Sequence, residues 1–161
     1  MIRLIAKNVI FSLSIFMQTA CEAGMVSKKE DIVLFSRIEG QLFYQGKPLP
    51  FAKVIRRYIY DTEKPVEDYC IADANGFFKF PSVIRENQKI SPLTQFVSHQ
   101  EVVVEYMHET YTIWGHGKMH VSENSEYDGV FKKMKCHIDG ELHRVRLSNR
   151  DFILTNCIFE D

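Results

Sequence analysis

Two segments decide the fold of this chain: GQLFYQGKPLPFAKV at residues 40–54 and DANGFFKFP at residues 73–81. Each places turn-forming residues between runs of apolar, aromatic and β-branched residues, which is how antiparallel strands are connected. Gly46 and Gly76 permit the positive φ of tight turns, and Pro48 and Pro50 cannot donate to a strand ladder. The pattern predicts a mostly antiparallel β-sandwich.

The rest of the chain continues the strand pattern. Further strands are expected over residues 94–106 and 111–114, which read as a hairpin, and over residues 131–138, 142–147 and 152–159. Residues 81–92 could hold one helical turn, and residues 122–129 form an acidic loop. We expect a single all-β sandwich over residues 32–161, extended by its C-terminal strands, after a flexible lead at residues 21–31.

The composition is that of a globular domain. Of the 161 residues, 45% are hydrophobic and 25% are charged, and the formal net charge is −1. Acidic and basic residues are interspersed, so the chain lacks the clustered positive surface that binding to a phosphate backbone requires. Nucleic acid is not an expected partner.

The N-terminus has the pattern of a secretory signal at residues 1–20. Arg3 and Lys7 precede an apolar run at residues 8–17, which is followed by small residues suited to cleavage. The apolar run is about ten residues long, too short to span a bilayer of roughly 30 Å comfortably. We therefore expect export and removal of this segment.

Two cleavage sites are open. The sequence Thr19-Ala20-Cys21 resembles a bacterial lipobox, although Gln18 stands where an aliphatic residue is usual. Cleavage before Cys21 would leave a lipidated cysteine and a periplasmic protein tethered to the outer membrane, and cleavage after Ala23 would leave a soluble one. We expect the lipoprotein, and we expect it to contact the membrane only through the lipid on Cys21.

The other cysteines predict a disulfide. Cys136 and Cys157 lie in two strand-like runs, and an exported compartment allows them to pair. The bond would close a loop of about twenty residues and stabilise the fold by roughly 3 kcal/mol. Cys70 would then be a free, buried thiol.

The two opening segments carry a family resemblance. The turn at residues 46–50, the strand residues Ala52 and Val54, and the DxNGxFxF run at residues 73–80 resemble carboxypeptidase-regulatory-like and transthyretin-like modules. Phe51 stands where glycine is usual in those modules. The resemblance implies a prealbumin-like or immunoglobulin-like sandwich and implies little about function.

A wider resemblance suggests a role. Residues 96–101, 112–115 and 154–157 are similar to an uncharacterised proteobacterial family often encoded near type VI secretion genes. It implies an exported, non-catalytic module that binds a protein, as a periplasmic immunity-type inhibitor of a type VI secretion toxin. A carbohydrate-binding or assembly module of the envelope is the alternative, and a small metalloenzyme is a third reading.

Candidate partner-binding residues are aromatic, arginine or acidic, the types expected at an interface or in a loop that blocks a basic cleft. They are Arg56, Tyr58, Tyr60, Trp114, Glu123, Glu126 and Asp128. Exposure of Trp114 beside the tyrosines would also suit stacking on a sugar.

Metal binding and catalysis have weaker sequence support. His116 and His120 lie four residues apart on one face of an extended segment with glycines around them, and His99 and His108 could lie nearby. The chain has no G-x-S-x-G, Walker A, H-E-x-x-H or C-x-x-C pattern. We therefore expect no metal, no cofactor and no catalytic residue.

Overall fold

The computed structural model describes residues 29–91, 93–148 and 151–160, and it confirms the predicted all-β sandwich. The strands are β1 (Lys29–Phe35), β2 (Ile38–Tyr44), β3 (Lys47–Pro48), β4 (Lys53–Tyr60), β5 (Val66–Ile71), β6 (Phe77–Phe80), β7 (Val83–Lys89), β8 (Ser98–Tyr106), β9 (Glu109–Lys118), β10 (Lys133–His137), β11 (His143–Arg146), β12 (Phe152–Thr155) and β13 (Cys157–Glu160). A 3-10 turn spans Ser125–Tyr127.

Two sheets make the sandwich. A six-stranded sheet has the order β11-β12-β9-β8-β4-β5, and a five-stranded sheet has the order β13-β10-β2-β3, with β6 also paired to β2. The pairs are antiparallel except β2 with β10, which is parallel. A small third sheet joins β1 to β7.

The core lies between the two large sheets. Its buried side chains come from both of them, among them Leu42 and Met134 from the five-stranded sheet and Val54, Val104 and Ile113 from the six-stranded sheet. The faces turned away from this core are the two outer faces of the sandwich. These outer faces are the surfaces on which a partner could bind.

The turns in the two opening segments have the conformations that their residues predict. Asp73 accepts hydrogen bonds from the backbone of Asn75 and Phe77 at 2.8 and 2.9 Å, which fixes the turn between β5 and β6. Gly76 has a φ of +81°, and a Cβ there would come within 2.8 Å of the Leu42 carbonyl oxygen, so only glycine fits. Phe51 also adopts a positive φ, +56°, although it is not glycine.

Three local predictions need correction. Residues 83–89 form strand β7 instead of a helical turn, because their backbone pairs antiparallel with β1. Strand β1 begins at Lys29, so the last residues of the predicted flexible lead are in a strand. The predicted strand at residues 152–159 divides at Asn156, which sends β12 and β13 to different sheets.

The predicted disulfide is confirmed. Cys136 and Cys157 face each other on β10 and β13 and are bonded with an S–S distance of 2.05 Å. Both are fully buried. Cys70 is a free thiol, as predicted, but it is half-buried; burial raises the pKa of this thiol, against a hydrogen bond from the Lys79 backbone.

The N-terminal predictions lie outside the described residues. They are the signal peptide at residues 1–20, lipidation of Cys21 and the alternative cleavage after Ala23. Within the part of the chain that the structure describes, no helix has the length and apolar character needed to cross a membrane.

Candidate functional site

A β-bulge in β9 sets the directions of the side chains around the candidate site. In the β8–β9 hairpin Val102 pairs with Trp114 and Val103 pairs with Thr112, which leaves Ile113 as an extra residue. Ile113 and Trp114 are therefore consecutive and both fully buried. Beyond the bulge the usual alternation resumes.

That alternation places two glycines on the outer face of the six-stranded sheet. Gly115 pairs with Glu101 and Gly117 pairs with His99, while His116 and Lys118 turn inward and are buried. A Cβ at Gly117 would meet no atom within 4 Å, and one at Gly115 would make only ordinary contacts with Leu154. The two glycines thus leave open space above β9.

This space is a groove of about 490 Å³, which we call the glycine groove. His99 of β8 lines one side, Phe152 and Leu154 of β12 line the other, and Met119, which follows β9, also lines the groove. Phe152 and Met119 are exposed, at 48% and 44% of their full areas. The groove therefore combines apolar walls with a floor of backbone.

Paired charges lie beside the glycine groove on the same face. Arg57 contacts Glu67 at 2.7 Å and Glu101 at 3.3 Å, and Lys53 contacts Glu105 at 3.0 Å. The hydrogen bond that Arg57 donates to Glu67 raises the pKa of Arg57, and Glu101 adds to this effect. The groove is thus bordered by a polar surface whose charges offset one another.

A buried ion pair lies beneath β9. The Lys118 ammonium is 2.7 Å from Glu126 Oε2, and both side chains are at most 1% exposed. The Glu126 carboxylate also accepts hydrogen bonds from the Ser36 backbone at 3.1 Å, from Ser36 Oγ at 2.5 Å and from Gln100 Nε2 at 2.8 Å. Lys118 further donates to Ser125 Oγ at 2.6 Å. We call this set the Lys118–Glu126 network.

The network fixes the segment after β9 to the sandwich. Burial alone would raise the pKa of the Glu126 carboxyl, but the Lys118 charge and the hydrogen bonds outweigh burial and lower it. Burial lowers the pKa of the Lys118 amine, and Glu126 opposes that effect. Glu126 was predicted to be a partner-binding residue on an acidic loop, and this prediction is wrong because its carboxylate is the buried counter-ion of Lys118.

Trp114 and Arg56 are also not available to a partner. Trp114 is 0% exposed, and its Nε1 donates to Gln100 Oε1 at 3.3 Å, so it cannot be a sugar-stacking platform. Arg56 is 2% exposed and makes two hydrogen bonds to Asp68, at 2.9 and 2.5 Å, and one to the Pro81 carbonyl. Both predictions of surface contact are therefore wrong: the bulge turns Trp114 inward, and Arg56 shares the core face of β4 with Val54.

The remaining candidates keep some exposure. Tyr58 and Tyr60 are half-buried, and the Tyr60 ring contacts Phe96 at 5.5 Å. Glu123 and Asp128 are exposed, but both have intramolecular partners. Glu123 accepts a hydrogen bond from Ser82 Oγ at 2.6 Å, and Asp128 accepts one from Ser148 Oγ at 2.7 Å.

The two candidate histidines lie in different environments. His116 is 8% exposed and its Nδ1 is 3.0 Å from the Phe152 carbonyl oxygen, while His120 is exposed. Burial lowers the pKa of His116, against the Phe152 contact. Within residues 29–91, 93–148 and 151–160 no three His, Cys, Asp or Glu side chains are placed to hold a metal ion.

Some of these features have partial signals in the sequence. The alternation of Gly115, His116, Gly117 and Lys118 is one such signal, but these glycines were related to a weak candidate metal site at His116 and His120. Nothing in the spacing of Lys118 and Glu126 indicated that they would form a buried pair. Their contact depends on how the segment after β9 folds back against β1.

Fold and surface together define a β-sandwich with a recessed, partly apolar groove on one outer face. The chain belongs to the family described as a domain of unknown function, DUF6795, which matches residues 38–141. The match includes β2 to β10 and so contains the glycine floor of the groove, whereas Phe152 and Leu154 lie beyond it. Comparisons with curated proteins and with solved structures found no significant match.

Proposed function

We propose that this protein is an exported, non-catalytic binding module that inhibits a type VI secretion toxin in the periplasm, as an immunity protein does. The partner contacts the outer face of the six-stranded sheet, and one of its loops enters the glycine groove. The groove is the observation that carries this proposal.

The shape of the groove suits a protein loop. Its floor is the backbone at Gly115 and Gly117, so a partner's chain can approach more closely than it could over side chains. Phe152, Leu154 and Met119 supply an apolar centre, and the pairs formed by Arg57 border it. An apolar centre within a polar rim is the usual anatomy of a protein interface.

The disulfide supports the proposed location. Bonds of this kind persist in oxidising compartments such as the bacterial periplasm and are rare in the cytosol. The Cys136–Cys157 bond is thus consistent with the signal-like pattern at residues 1–20. The intact mass of the mature protein would distinguish a lipidated Cys21 from cleavage after Ala23.

The experiment fills the groove without disturbing the fold. Gly117→Val adds a side chain where no atom lies within 4 Å, at a strand position that a β-branched residue favours. The variant should fold normally but fail to co-purify with the toxin encoded beside its gene, and cells carrying it should lose protection when that toxin is directed to the periplasm.

The matched control is Thr110→Val, a β-branched substitution at an exposed position on the same strand and face. It should leave complex formation and protection intact. Full protection by the Gly117→Val protein would exclude the groove as the binding site. If the unaltered protein neither protects against nor co-purifies with any neighbouring toxin, the immunity role itself is wrong.

A further inference from the structure

The outer face of the five-stranded sheet has a regular arrangement of side chains that the proposed function does not use. One row crosses the strands in the order β6, β2, β10, β13 and contains Phe77, Gln41, Lys135 and Ile158. At its two ends Phe77 is 51% exposed and Ile158 is 64% exposed. An apolar side chain therefore stands at each end of a polar centre.

The neighbouring row alternates in charge. Lys79 is opposite Glu39 in the strand register, and Lys133 is opposite Glu160. Within its own copy the Glu160 carboxylate also contacts Lys135 of the first row, at 2.7 Å. Glu39 and Lys133 directly precede the paired residues Gly40 and Met134, so all four side chains share one row. Its order across the sheet is positive, negative, positive, negative.

A third row is aromatic. Phe43 pairs with His137, and their rings stack with centroids 5.1 Å apart. Both residues are half-buried. The face thus has a charged row, a mixed row and an aromatic row, side by side along the strands.

These rows are complementary to themselves under a two-fold rotation. The axis lies in the contact plane between two copies, parallel to the strands and above the boundary between β2 and β10. It places β6 of one copy opposite β13 of the second copy, and β2 opposite β10. Lys79 then faces the second copy's Glu160, and Glu39 faces its Lys133. In the other rows Phe77 faces Ile158 and Phe43 faces His137. The contacts of the charged row join opposite charges, and those of the other rows join two apolar groups or two rings. The one further contact, between Gln41 and Lys135, is polar.

We propose that two copies of this chain associate through the outer face of the five-stranded sheet, related by that axis. A groove of about 480 Å³ lies over the charged row, bordered by Ile71 and Phe77, and the second copy's side chains from β13 fill it. The glycine groove lies on the opposite side of the sandwich. A dimer would therefore present two open grooves.

The size of the face indicates a weak dimer. Four strands about 4.8 Å apart, with three rows along them, give a footprint of roughly 400 Å² on each copy. The total, roughly 800 Å², is below the 1,200–2,000 Å² that stable interfaces bury. We expect affinity in the micromolar range or weaker, with a dependence on salt because the charged row is solvated at its edges.

The test is a charge swap. Lys79→Glu places like charges opposite each other at two symmetry-related points of the dimer, and so does Glu160→Lys. Each single substitution should weaken self-association about tenfold, because two exposed pairs of roughly 0.2–1 kcal/mol each change from attraction to repulsion. The double variant Lys79→Glu with Glu160→Lys should restore it.

Sedimentation equilibrium of the oxidised, mature protein over a range of concentrations measures the association. Circular dichroism checks that each variant is folded, as expected for substitutions at exposed positions. Glu105→Lys, on the opposite outer face, is the control and should leave the association unchanged. The proposal would be overturned if the unaltered protein stayed monomeric at every concentration, or if the single substitutions left the association unchanged. It would also be overturned if the double variant associated as weakly as the single variants.

Discussion

Removal of the Glu126 carboxylate should destabilise the protein strongly. In Glu126→Ala the Lys118 ammonium loses its counter-ion while it stays buried at 0% exposure. The Ser36 backbone N–H and the Gln100 amide lose an acceptor as well. Lys118 keeps hydrogen bonds to the Ser122 carbonyl at 2.8 Å and to Ser125 Oγ, and neither of these groups carries a charge.

The expected cost follows from that geometry. Breaking a buried ion pair from one side costs about 3–5 kcal/mol, because the remaining charge is uncompensated. In a chain of this size each kcal/mol lowers the melting temperature by about 2–4 °C. Glu126→Ala should therefore melt roughly 6–20 °C below the unaltered protein.

Urea denaturation and a thermal melt, both with the disulfide intact, measure this loss. Glu105→Ala is the matched control, because it removes the exposed Lys53–Glu105 pair and should cost no more than about 1 kcal/mol. The double variant Lys118→Met with Glu126→Leu removes both charges and should be more stable than Glu126→Ala alone. If Glu126→Ala cost no more than Glu105→Ala, the Lys118–Glu126 network would not anchor the segment after β9.

Two further predictions concern pH and backbone conformation. The folded state lowers the pKa of Glu126 from its ordinary value of 4.5, so the stabilisation that the Glu126 carboxylate provides is present above pH 4.5 and is lost as the pH falls towards the lower pKa of the folded state. The difference in urea midpoint between the unaltered protein and Glu126→Ala should therefore become smaller as the pH is lowered below 4.5. A difference that stays constant would contradict the assignment. Phe51 has a φ of +56° and its side chain is 69% exposed. Phe51→Gly should be about 1 kcal/mol more stable than Phe51→Ala, because alanine keeps an unfavourable backbone conformation that glycine adopts freely. Equal urea midpoints for the two variants would refute this prediction.

The fold was largely predictable because turns and strand periodicity are local. The glycine and asparagine of the Asp73–Gly76 turn, and the apolar and β-branched residues on either side of the turns, led directly to strands and connections that the structure confirms. The disulfide was predictable for a similar reason, since both cysteines stand in strand-like runs. Arg56 was wrongly predicted to contact a partner, although it lies on the same face of β4 as the buried Val54.

The candidate site was less predictable because it depends on departures from regular alternation. One extra residue at Ile113 turns Trp114 into the core and moves Gly115 and Gly117 to the outside. A bulge of this kind has no clear mark in a single sequence. The buried state of Glu126 likewise depends on a contact with Lys118 that forms only after the segment folds back, so an acidic loop and a buried ion pair look alike in the sequence.

The parallel pairing of β2 with β10 has a consequence for the timing of folding. It joins Gln41 to Lys135, and β13 adds to the same sheet only through β10. Contacts between residues so far apart in the chain form slowly, because a long loop must close first. The β8–β9 hairpin can form as soon as its own residues are free, but Leu42 stays uncovered on one side until the C-terminal strands arrive. The five-stranded sheet is therefore completed only after β10 and β13, which follow the hairpin in the chain, have paired.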